Sequence, residues 1–191
     1  MSELVVSFFR DQQRAPEVLN ELRRREYQWV EELNNALVLT TNGSVPIKAE
    51  ISVDPTGCEP HSWVKLWSSL LSGTLFIQGA HVLVEAAESL ACSEPRVCQP
   101  TYSGSAGQLL RWWRDSVGLS DDFRRDLAAA LSSSGSAIFM FFNSTAAAEL
   151  LPHLGTFCDT IVHATLMPEQ DEEVAEFIAL QNTLEAELVP N

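Results

Sequence analysis

The apolar residues of this chain follow two different spacing patterns. Runs rich in apolar residues predict strands at 3–9, 36–41, 135–143 and 157–166. The two most continuous runs, 3–9 and 135–143, are typical of strands covered on both faces. Elsewhere apolar residues recur at the three- to four-residue spacing of a helix; these segments are 16–33, 120–131, 145–154 and 168–184. The pattern therefore predicts a strand–helix–strand unit at each end of the chain.

The run at 135–143 predicts the central strand. Phe139, Phe141 and Phe142 place aromatic side chains on both sides of it, as expected for a strand with neighbours on both edges. Two strand–helix–strand units with right-handed crossovers fold into one four-stranded antiparallel sheet backed by two helices, with the first strand of each unit in the centre. The predicted class is α+β, specifically a ferredoxin-like βαβ-βαβ sheet.

The segment between the two units, residues 44–118, is predicted to be a large and mainly helical insertion. Residues 44–60 contain three prolines and a glycine, which favour an extended or looped path, whereas 61–91 and 109–117 have helical spacing. Residues 93–107 are rich in Pro, Ser and Gly and predict a linker. The domain boundaries that follow are 1–43 with 119–191 for the sheet and 44–118 for the insertion with its flexible linkers.

Net charge argues against one class of binding partner, and cysteine content indicates a cellular compartment. The net charge is −14, which argues against nucleic acid because phosphate binding needs clustered Lys and Arg. The four cysteines have no paired short spacing, and the chain starts with Met-Ser-Glu rather than a basic signal-peptide region. These features predict reduced thiols in a cytoplasmic protein.

Seven short segments carry a resemblance to a known family. Residues 2–6, 25–27, 36–39, 117–123, 133–139, 151–155 and 160–166 are similar to the bacterial family named domain of unknown function 1269, whose members are often labelled membrane proteins. The resemblance covers the two terminal thirds of the chain and implies a ferredoxin-like sheet. It implies no activity, cofactor or catalytic residue, because the family has none assigned.

The segment 63–84 raises the question of membrane association. Residues 66–84 are long enough to span a bilayer, but they include three serines, a threonine, a glutamine and a histidine, whose burial in lipid offsets the apolar gain. A buried or partner-packed helix is therefore favoured. Trp63 and Trp67, beside Lys65, keep docking at a membrane surface as an alternative.

His81, Glu85 and Glu88 are weak candidates for a metal site. Their spacing places them on one helical face, where they could bind a divalent metal if a second helix brought more ligands. A solvated polar face with a His–Glu pair is the favoured interpretation. Nothing in the sequence forms a catalytic cluster or a cofactor motif. Catalytic residues, cofactor-binding residues and cofactors are therefore predicted to be absent.

The favoured functional hypothesis is a non-enzymatic protein that forms homo-oligomers or docks a protein partner through its inserted helices. The predicted interaction residues are the large apolar side chains of the insertion: Trp63, Trp67, Leu70, Leu71, Trp112 and Trp113. The alternatives are a peripheral or integral membrane component using 63–84, and a small-ligand or metal-binding enzyme using His81, Glu85 and Glu88.

Overall fold

The chain forms an antiparallel sheet with helices on both faces, an α+β fold. This computed structural model describes residues 1–25, 27–41, 47–51, 66–67, 69–70 and 111–188. The strands are β1 (Ser2–Phe9), β2 (Leu37–Thr41), β3 (Ile47–Ile51), β4 (Ser136–Asn143) and β5 (Thr160–Thr165). The helices are α1 (Arg14–Arg23), α2 (Asp121–Ser133), α3 (Ser144–Leu154) and α4 (Pro168–Leu188), with a 3-10 helix at Gln28–Asn35 and a π-helix at Trp112–Ser116.

The strands lie in the order β3-β2-β4-β1-β5, and every neighbouring pair is antiparallel. β1 and β4 pair along their whole length, from Ser2 opposite Asn143 to Phe9 opposite Ser136. The α+β prediction is confirmed, and the run around Ile138 lies beside β1 as expected. Most of the predicted insertion, 44–118, lies outside the described residues.

Two predictions about local structure need correction. Residues 47–51, predicted to be extended or looped, form β3, so the described sheet has a fifth strand next to β2. The single helix predicted over 16–33 is divided, because α1 ends at Arg23 and a 3-10 helix follows at Gln28–Asn35. Tyr27 and Trp29 stack on each other there, with ring centroids 5.1 Å apart, and Tyr27 also packs on His153 of α3. These ring contacts hold the start of the 3-10 segment against α3.

Each face of the sheet has its own apolar core. On the α1 face, Val5, Ile138 and Met140 pack against α1 and α3. On the α2 face, Val6 and Phe139 pack against α2, the π-helix and α4. Because side chains alternate between faces along a strand, the continuous apolar runs of β1 and β4 supply both cores at once.

Local signals fix where α2 and α3 begin. Ser120 is the N-cap of α2, where its hydroxyl accepts a hydrogen bond from the Phe123 N–H at 3.1 Å. Asn143, the last residue of β4, caps α3 by accepting from the Ala146 N–H at 2.9 Å. Gly118 has a φ of 74°, a left-handed conformation that glycine adopts without strain, and it separates the π-helix from α2.

Candidate functional site

The outer edge of β5 is the candidate site. In the part of the chain that the structure describes, β5 pairs with β1 and with no other strand. The Leu166 N–H donates to the Ser2 carbonyl at 2.8 Å, so even-numbered residues of β5 share hydrogen-bonded pairs with β1. The backbone N–H and C=O groups of Ile161, His163 and Thr165 therefore point outward, away from the sheet.

The charge on this edge differs from that of the chain as a whole. β5 reads Thr-Ile-Val-His-Ala-Thr and contains no Asp, Glu, Lys or Arg, although the net charge of the protein is −14. Asp159, just before the strand, accepts a hydrogen bond from the Arg10 N–H at 3.0 Å and forms an ion pair with the Arg10 side chain at 3.5 Å. Protective charges, which commonly prevent edge strands from pairing, are thus absent from β5 itself.

On the α1 face of the sheet, Glu3 of β1 and His163 of β5 lie close together at this edge. Glu3 Oε1 accepts a hydrogen bond from Thr165 Oγ1 at 2.9 Å. Glu3 Oε2 lies 3.5 Å from His163 Nδ1, with side-chain exposures of 13% and 53%. That Oε2 atom is buried and has no hydrogen-bond partner among the described residues, although the His163 ring nitrogen lies within ion-pair distance of it.

Cys158, two residues before β5, has a structural role and not a reactive one. Its Sγ donates a hydrogen bond to the Leu154 carbonyl at 3.0 Å. Burial raises the pKa of the Cys158 thiol, which keeps it protonated near neutral pH. Since the thiolate is the reactive form, this cysteine is not an activated nucleophile.

The structure places three of the predicted interaction residues in the core of the α2 face. Trp67, Leu70 and Trp113 are fully buried. Trp67 stacks on Phe141 at a centroid distance of 5.1 Å. Trp113 donates its indole N–H to Ser69 at 3.1 Å. These side chains contact the chain's own core rather than its surface.

The remaining predicted residues divide into two groups. Trp112 is partly buried, packs on Phe177 with centroids 5.0 Å apart, and donates its indole N–H to Glu173 at 3.2 Å. Trp63, Leu71, His81, Glu85 and Glu88 lie outside the described residues. The metal and interaction hypotheses that rest on these five side chains remain predictions.

Within 1–25, 27–41, 47–51, 66–67, 69–70 and 111–188, no group of three or more His, Cys, Asp and Glu side chains could hold a metal ion. No helix in the same residues is long and apolar enough to cross a bilayer.

Sequence reasoning missed Glu3 and His163. Glu3 begins an apolar run and His163 lies between Val162 and Ala164, and an ionisable residue at such a position is the signal that could have identified them. Their proximity depends on the register of β1 with β5, in which Glu3 lies opposite Thr165 and Val5 lies opposite His163. No protein-family model, curated protein or solved structure matches this chain.

Proposed function

We propose that the sheet is ferredoxin-like and that the protein is a non-enzymatic module that self-associates through β5. The order β2-β4-β1-β5, with α1 following β1 and α3 following β4 on the same face, supports two interlocked strand–helix–strand units. β3 then adds to the outside of β2. In this arrangement β5 is an outer strand.

Two observations carry the proposal: β5 contains no Asp, Glu, Lys or Arg, and the backbone N–H and C=O groups of its odd-numbered residues point away from the sheet. Unpaired N–H and C=O groups on a sheet edge are a template for another strand. In a chain of net charge −14, β5 has no acidic residue of its own. The Glu3 carboxylate beside it is mostly buried and Asp159 is paired with Arg10, so a second copy meets little like-charge repulsion there. Twofold dimers are the commonest soluble oligomers, so the occupant is a second β5 in antiparallel pairing.

The burial of Trp67, Leu70 and Trp113 moves the proposed interface from the inserted helices to this edge. Exposing those three side chains to a partner would remove them from the α2-face core. Burying a large apolar side chain stabilises a fold by about 1.5–3 kcal/mol, so moving these three out of the core would cost the monomer that contribution before any partner is bound. Pairing at β5 requires no such rearrangement.

Sedimentation velocity over a range of protein concentrations, in buffer with chelator, tests the proposal. We expect a monomer–dimer equilibrium for the wild type. His163→Pro removes an N–H that points outward, which an edge strand tolerates, and we expect it to be monomeric with its fold retained by circular dichroism.

His163→Ala is the matched control, because it removes the same imidazole but keeps the N–H. It should still dimerise in chelator. A dimer that survives His163→Pro, or a wild-type chain that stays monomeric at every concentration, would contradict self-association through β5. If His163→Ala alone dissociated the dimer, backbone pairing would be excluded as its cause.

A further inference from the structure

The proposed β5 pairing, on which this inference rests, restricts how two copies can meet. A twofold axis normal to the sheet keeps the α1 faces of both copies on the same side, so paired residues must come from the same face. Full-length pairing then centres either on Val162 or on His163. The register centred on His163 uses the outward N–H and C=O groups of Ile161, His163 and Thr165, whereas the other leaves those of Thr165 unpaired.

In the His163-centred register, the two His163 residues are direct cross-strand neighbours on the α1 face. Hydrogen-bonded antiparallel neighbours have Cα atoms about 5.5 Å apart, and their side chains leave the sheet in the same direction. Each imidazole is half exposed and has its Nδ1 3.5 Å from Glu3 Oε2. With Nδ1 facing Glu3 of the same copy, Nε2 is the ring nitrogen available to a ligand beside the axis.

We propose that the second copy completes a binding site for a divalent transition-metal ion such as Zn²⁺, with His163 Nε2 of each copy as the ligands. A metal-binding histidine typically donates its other ring N–H to a carboxylate, which fixes the tautomer and the ring orientation. Glu3 is placed for that role, and its buried Oε2 has no competing hydrogen bond in the described part of the chain. Imidazole suits Zn²⁺, Ni²⁺ and Cu²⁺, and water molecules complete the coordination.

The electrostatics of the site favour a cation. Two Glu3 carboxylates flank the two imidazoles, and the described part of β5 brings no Lys or Arg to the edge. Each imidazole binds a metal ion in its neutral form, so the two carboxylates are left to balance the charge of a divalent cation. The site is incomplete in one copy, since a single histidine and its carboxylate provide only one direct ligand.

Metal-dependent sedimentation of the full chain tests the site, using Zn²⁺ alone as the probe and chelator as the reference. By mass action, dimerisation should strengthen about tenfold when free Zn²⁺ is about ten times the dissociation constant of the site. His163→Ala should keep the dimer formed in chelator and lose the response to Zn²⁺. Glu3→Gln should weaken the Zn²⁺ response about tenfold or more.

Thr165→Val is the control for Glu3, because it removes the other hydrogen bond to that carboxylate and should leave the Zn²⁺ response intact. A dimer in chelator that ignores Zn²⁺ would overturn the metal site and leave self-association standing. A response to Zn²⁺ that persists in His163→Ala would also overturn it, by locating the ion elsewhere. A chain that is monomeric with and without Zn²⁺ would overturn the proposed function itself.

Discussion

The indole N–H of Trp113 donates a hydrogen bond to the hydroxyl of Ser69, 44 residues earlier in the chain, at 3.1 Å. Ser69 Oγ in turn donates to the Leu66 carbonyl at 2.7 Å. All three residues are buried on the α2 face. This relay joins two separate parts of the predicted insertion, residues 66–69 and Trp113, within the core of the α2 face.

Ser69→Ala should destabilise the protein by about 1–3 kcal/mol, because it leaves the buried Trp113 N–H without a partner. Urea denaturation followed by circular dichroism measures the change. In a Trp113→Phe background the same substitution should cost less, since the orphaned donor is gone. Equal costs in the two backgrounds would show that the hydrogen bond contributes little.

Ser120→Ala should lower the free energy of unfolding by about 1 kcal/mol, through loss of the cap on the Phe123 N–H. Ser120→Gly is the matched control and should cost only a few tenths of a kcal/mol. Thermal and urea unfolding of both variants measure the difference. If alanine and glycine proved equal, the side-chain cap would not be the cause.

Gly135→Ala should be destabilising by about 1–3 kcal/mol, as is typical of overpacking. A Cβ at Gly135 would press on the backbone of Arg10 and Gln12, which cannot rotate away as a side chain would. Gly155→Ala is the comparison, because its Cβ would lie 3.6 Å from the nearest atom, the Leu151 carbonyl oxygen. That substitution should be neutral or stabilising in the same denaturation experiment.

Amide hydrogen exchange should alternate along β5. At low protein concentration the amides of Val162 and Ala164, which face β1, should exchange more slowly than those of Ile161 and His163. At high concentration in chelator, the outward amides should become protected as a second strand pairs with them. Uniform protection at every concentration would show that the outward groups are already bonded within one chain.

The folded protein should lose stability at alkaline pH as the Cys158 thiol ionises. Burial raises the pKa of its thiol above the ordinary value of 9.0, so the folded state favours the protonated form. The contribution is fully present below the pKa of the unfolded thiol and is lost as pH rises through the pKa of the folded one. The free energy of unfolding of wild type relative to Cys158→Ala should therefore decrease above about pH 9; a constant difference would contradict this.

The sequence predicted elements well where both faces of a strand are buried. The runs containing Val5 and Ile138 are apolar on both faces, and each forms a strand in the middle of the sheet. β3 was missed although Ile-Lys-Ala-Glu-Ile alternates apolar and polar residues, the pattern of a strand with one wet face. Pro46 and Pro55, on either side of these five residues, favour a looped path instead.

The candidate site was beyond prediction for a different reason. Sequence spacing describes neighbours within one element, whereas Glu3 and His163 meet only because β5 returns antiparallel to β1 in one register. The tryptophans of the insertion show the same limit. The sequence shows that they are apolar, but whether Trp67 contacts a partner or Phe141 depends on tertiary packing.

The placement of β1 between β4 and β5 has a consequence for synthesis in the cell. Both neighbours are made long after β1, and at translation rates of about 5–20 residues per second the wait is on the order of ten seconds. Throughout that interval the nascent chain carries an apolar segment that lacks its native partners. Such a segment is a natural client for a ribosome-associated chaperone.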